Sequence, residues 1–159
     1  MTLANLNIER SRPVEPKAAR SRVTVCVRES ATEAWKEETD IISVSSTGAG
    51  FTLSRPCSVG RLVLLKTSIP RELRVYDHEA PIYSIIGLVQ FCHPVSSEGT
   101  TFYNLGVGFT GNVTPNSFKK DPRQNYRITG ARPDGLWQIK EVASEFKKRK
   151  RPRITVQIP

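Results

Sequence analysis

Two short stretches hold residue types that could act together on one ligand. Ser43-Val44-Ser45-Ser46-Thr47-Gly48-Ala49 is an S-x-S-x-x-G run, and Arg20-Ser21-Arg22 precedes it by about twenty residues. A tight turn containing glycine lets backbone N–H groups and a serine hydroxyl come close to a bound molecule. Arginine brings a planar fork that pairs bidentately with phosphate or with the edge of guanine, and it stacks on aromatic rings. The pairing suits recognition of an anionic, flat ligand rather than bond-making chemistry. Other groupings supply less. Asp77, His78 and Glu79 are adjacent, so on a strand they point to alternate faces and make a poor ligand set. Cys92-His93 has no partner at hydrolase spacing, and Arg123 to Arg127 has the count of an R-x-x-x-R without a suitable strand after it. The three cysteines (Cys26, Cys57, Cys92) include no C-x-x-C, and two histidines are too few for most zinc sites. With no Walker, Rossmann or nucleophile-elbow pattern, neither an enzyme nor a metal site is expected.

The elements that must position these residues read as short strands. Val23, Val25 and Val27 alternate with Thr24, Cys26 and Arg28, the period of a half-buried strand. Further strands are predicted at 38–45, 51–53, 61–65, 73–76, 83–91 and 102–109. The 45–50 turn between the second and third has two glycines available for positive φ, and Gly87 marks a bulge. Short strands at close spacing, separated by Gly and Pro, predict a mainly β fold, a small antiparallel barrel of about six strands. Around it the chain divides into a flexible basic arm (1–19), the barrel (20–111), a polar linker (112–134) and an amphipathic helix (135–150). In that helix Asp134 is the cap, and Leu136, Ile139, Ala143 and Phe146 form one apolar stripe.

With the motif in place, the chain resembles the PilZ domain family. The S-x-S-x-x-G run is similar to that family's (D/N)xSxxG. A basic cluster precedes the first strand, an apolar run ending in proline (Val63 to Pro70) follows the motif, and Leu105-Gly106-Val107-Gly108-Phe109 is similar to the last barrel strand. The resemblance spans roughly 17–111. It implies a cytoplasmic effector of bacterial second-messenger signalling that binds cyclic di-GMP, has no other cofactor, and acts on a downstream protein partner that the sequence does not identify. The implied ligand-binding residues are Arg20 and Arg22 from the arm, with Ser43, Ser45 and Gly48 from the turn. Two departures are plain: Arg20 and Arg22 are two apart where the family has R-x-x-x-R, and Ser43 stands where Asp or Asn is usual. The alternative is a PilZ-like adaptor that no longer binds the nucleotide.

The basic balance bears on partners. The 159 residues carry a net charge of +9, and the pI is 9.8. Residues 1–28 hold six basic and two acidic side chains, and Lys147 to Arg153 (KKRKRPR) adds six basic ones, which leaves 29–146 at −1. A neutral middle is not a phosphate-binding platform, so nucleic acid is not the expected partner, although a barrel using KKRKRPR on phosphates is a third reading. No stretch reaches the ~18 apolar residues of a membrane span, and Met1 to Arg10 lacks the pattern of a secretory signal. Finally, 148–158 repeats the pattern of 17–27, with Arg149 and Arg153 as an intact R-x-x-x-R before Ile154-Thr155-Val156-Gln157-Ile158. Residues 151–159 therefore read either as the opening of a second PilZ domain, with Arg149 and Arg153 as its arm, or as a basic helix end before a strand that joins this barrel.

Overall fold

Alternation of apolar and polar residues builds six strands that close on themselves. The computed structural model describes residues 21–142; the arm at 1–19, Arg20 and the segment from 143 onward, with Arg149 and Arg153, lie outside the described residues. The strands are β1 (Arg22–Arg28), β2 (Ala34–Val44), β3 (Gly48–Leu53), β4 (Leu62–Thr67), β5 (Tyr83–Ser97) and β6 (Thr100–Gly111). They pair in the order β1-β2-β3-β6-β5-β4, with β4 returning to β1, and every pairing is antiparallel. Closure leaves no open sheet edge in the barrel. Inward residues fill it: Val23, Val25 and Val27 from β1, Ile41, Phe51, Leu53, Val63, Leu65, Ile85, Leu105, Val107 and Phe109.

Leu62 to Leu65 of β4 and Ile85 to Val89 of β5 are apolar because both faces of the sheet are covered there. Outward Leu62, Ile86 and Leu88 form a second cluster with Phe118 and Tyr126, against which Ile128 and Ile139 pack. The covering elements are a short helix α1 (Asn116–Lys120) and a hairpin of β7 (Tyr126–Ala131) and β8 (Trp137–Glu141). The stretch 112–134 is thus not a plain linker, since it carries α1 and β7.

The predicted helix from 135 is also corrected, because 137–141 is a strand. Leu136 and Ile139 fit a helical stripe by spacing, but Trp137-Gln138-Ile139-Lys140-Glu141 alternates equally well, and pairing with 126–131 decides between the two periods. Asp134 does cap, accepting from the Leu136 N–H at 3.0 Å, but it caps the hairpin turn, where Gly135 has φ +93°. Leu136 itself is fully buried and joins the main core. The strand expected at 73–76 is absent too. Arg71–Leu73 is a 3₁₀ turn, and the buried Arg74 side chain organises the loop after it by donating to backbone carbonyls. Among the described residues no helix is long and apolar enough to cross a membrane.

Candidate functional site

A β-bulge gives one strand an extra residue and so reverses which face its following side chains occupy. Two bulges flank the β3–β6 pair. In β2 the register shifts between Ile41, opposite Phe51, and Ser43, opposite Gly50. In β5 it shifts between Val89, opposite Val107, and Phe91, opposite Gly106. Ile41 and Val89 point inward, and strict alternation would turn Ser43 and Phe91 inward as well. The bulges put both on the outer face instead.

The result is a single row across four strands: Ser43 of β2, Gly50 of β3, Gly106 of β6 and Phe91 of β5. At the usual strand spacing its ends are about 14 Å apart at Cα. Above the row lies an open depression of about 330 Å³, lined by Ser43, Ser45, Gly48, Gly50, Gln90 and Phe91 among others. Its lining residues carry no charge. Gly50 leaves the floor bare, since a Cβ there would sit 2.8 Å from the Ser43 hydroxyl oxygen. At Gly106 a Cβ would overlap the Phe91 ring, so that ring lies directly on the glycine backbone. Phe91 also stacks on His93 (centroids 5.0 Å apart, planes at 25°) and remains 41% exposed.

The turn at one side of the depression is braced. The Ser45 N–H donates to the Gly48 carbonyl at 2.9 Å, and the Ser45 hydroxyl accepts from the Thr47 N–H at 3.2 Å. The Thr47 carbonyl accepts from the Phe109 N–H at 2.8 Å and from the Trp137 indole N–H at 3.2 Å. Gly48 and Gly50 were expected to supply positive φ, but neither lies in the left-handed region. What Gly48 supplies is space, because a Cβ there would come within 2.5 Å of the Val107 carbonyl oxygen.

Of the residues singled out from sequence, Ser43, Ser45 and Gly48 come together on this depression. Arg22 does not line it. Its guanidinium pairs with Asp40 at 3.1 Å and with Glu38 at 3.5 Å, on exposed side chains of β2. Such pairs contribute roughly 0–1 kcal/mol and exchange readily. The antiparallel register of β1 on β2 continues one step upstream of Arg22, where the Ser21 carbonyl accepts from the Ile41 N–H at 2.8 Å. Ser21, the residue before Arg22, is thus still paired with β2, beside Ile41. Phe91, Gln90, Gly50 and Gly106 were missed as site residues. Their one sequence signal is the pair of strand-borne G-x-G runs, Gly48-Ala49-Gly50 and Gly106-Val107-Gly108, since glycine inside a strand marks a close approach. Asp77, His78 and Glu79 lie in a loop, and among the described residues no group of three His, Cys, Asp or Glu side chains is placed to hold a metal.

No protein-family model matches the sequence, and no curated relative does. Among solved structures the chain is similar to the crystal structure of the PlzA protein of Borreliella burgdorferi in complex with c-di-GMP. The TM-score is 0.44 and the identity 10%, over 68% of this chain and 44% of that one. The chain thus spans less than half the length of that protein.

Proposed function

We propose that this chain is a PilZ-type effector module that binds cyclic di-GMP on the outside of its barrel, beside the Ser43–Ala49 turn. The observation that carries the reading is the convergence of that turn with the β1 lead-in. Ser43, Ser45 and Gly48 border one depression, and the start of β1 pairs with β2 as far as Ser21, beside Ile41 and two residues from Ser43. On this reading the hydroxyls and turn amides hold the ligand, while Arg20 and Arg22 meet its phosphates. Arg22 gives up a weak exposed pair with Asp40 and Glu38 to do so. Charge-assisted bidentate contacts of this kind are the strong ones. Ser43 in place of Asp or Asn offers fewer hydrogen bonds, which sets the affinity below that of a full motif.

Isothermal titration of the full chain with cyclic di-GMP tests the proposal. Saturable heat in the micromolar range is expected, and Arg20→Ala or Arg22→Ala should each weaken binding by roughly tenfold without lowering the melting temperature. Unchanged affinity in both variants would remove the arginines from the site. Absence of heat and of any thermal shift at high micromolar ligand would replace this reading with the adaptor.

A further inference from the structure

We infer that Cys57 and Cys92 form a reversible oxidation site, a pair of thiols that a hydroperoxide joins into one intrachain disulfide. The site does not rest on the ligand proposed above. Both cysteines are free thiols. Cys57 lies in the loop between β3 and β4, is 6% exposed and belongs to the main core. Cys92 follows the β5 bulge, stands opposite the core residue Leu105, and packs half-buried against the same core. Two backbone bonds fasten the loop to β5. The Gly60 N–H donates to the Val89 carbonyl at 2.9 Å, and the Val89 N–H donates to the Arg61 carbonyl at 2.9 Å. Cys57 precedes Gly60 by three residues and Cys92 follows Val89 by three. Each chain thus carries its thiol the same short way from the junction, and both border one open depression of about 300 Å³, with Ser58 and Tyr103. Charge on one thiol is felt at the other: burial pushes the Cys57 thiol up to about 12, and a Cys92 thiolate adds to the rise.

The difference in burial sets the order of events. The thiolate is the nucleophile, and Cys57, buried and held protonated, is the poorer one. Cys92 is more exposed and meets the oxidant first. Its sulfur attacks the O–O bond of hydrogen peroxide, becomes a sulfenic acid and releases one water. The Cys57 sulfur then attacks the Cys92 sulfur. The S–O bond breaks, and the departing hydroxyl takes the Cys57 proton as a second water. Two thiols are oxidised to one disulfide, and one peroxide is reduced to two waters. The new bond ties the β3–β4 loop to β5, and a dithiol reductant releases it. Cys26 takes no part, because it alternates with inward Val25 and Val27 and so faces the outside of the barrel.

The test uses the full chain, reduced and then treated with a small excess of hydrogen peroxide, with alkylation in denaturant and mass spectrometry as the readout. Alkylatable thiols should fall from three to one, and a proteolytic map should join the Cys57 peptide to the Cys92 peptide. The unalkylated chain should be lighter by two hydrogens, and dithiothreitol should restore all three thiols. Cys57→Ala should stop the reaction at a Cys92 sulfenic acid that dimedone traps, whereas Cys26→Ser should leave the link intact. The map is made on the unaltered chain, so its result does not depend on the folding of any variant. Three thiols still free, a link through Cys26, a dimer in place of the intrachain bond, or Cys92 carried on to a sulfinic acid with Cys57 still free would each overturn the site.

Discussion

Arg74 is buried, and its guanidinium is held by main-chain carbonyls. Nε donates to Ile69 at 3.0 Å, Nη1 donates to Asp77 at 2.9 Å and to Ala80 at 2.6 Å, and the group lies over the Tyr83 ring. A charged donor in such a place stabilises the loop between β4 and β5 by satisfying carbonyls that would otherwise be shut away from water. Arg74→Met keeps the bulk and removes every donor, so it should cost about 3 kcal/mol in urea unfolding. A loss under 1 kcal/mol would show that water replaces the guanidinium. Residue chemistry of this kind was not legible as structure, because Leu73-Arg74-Val75-Tyr76 alternates like a strand. Only the surrounding carbonyls distinguish a buried cation from an outward-facing one.

At the scale of elements, the β7–β8 hairpin is a clamp on the motif turn. Trp137 sits over Gly108, where a Cβ would be 2.8 Å from its ring, and its indole N–H reaches the Thr47 carbonyl. The hairpin is anchored at its own turn by Leu136 in the core and by Arg132, which donates to the Thr110 carbonyl and pairs with Asp134 at 2.9 Å. Trp137→Phe retains the packing but not the donor, and we expect about 1 kcal/mol less stability. The accompanying NMR change should be faster amide exchange at Ser45 to Gly48, as the turn loses one brace. Unaltered exchange in that segment would mean that the Phe109 N–H bond alone sets the turn. The α1 helix and the hairpin together account for the apolar outer face of β4 and β5, which a barrel exposed on its outside would not tolerate.

For the whole molecule, burial of weak acids predicts the response to alkali. Burial pushes the Cys57 thiol from 9.0 up to about 12, and burial likewise raises Tyr76, Tyr83 and Tyr126 above the ordinary 10.0. Each folded group keeps its proton where the unfolded chain has lost it, so the unfolded state binds fewer protons above pH 9. Stability is accordingly undiminished by these groups below pH 9 and falls as pH rises beyond it, by up to about 1.4 kcal/mol per pH unit for Cys57 alone. Urea midpoints should drop between pH 9 and 11, and Cys57→Ala should flatten the first part of that decline. A midpoint constant to pH 11 would contradict the burial of these groups.

The amino-acid sequence by itself determined the β character and the alternation of β1, which follow from local periodicity, and it marked the turn at Ser43–Ala49, although Gly48 supplies space there and not positive φ. It did not determine which face Ser43 and Phe91 occupy, nor whether 137–141 would coil or extend. Those outcomes depend on pairing: a bulge is a mismatch between two strands, and a segment that fits two periods takes the one whose hydrogen bonds a neighbour completes. The row from Ser43 to Phe91 joins residues from four strands, and only the pairing of β2 with β3, β3 with β6 and β6 with β5 placed them side by side.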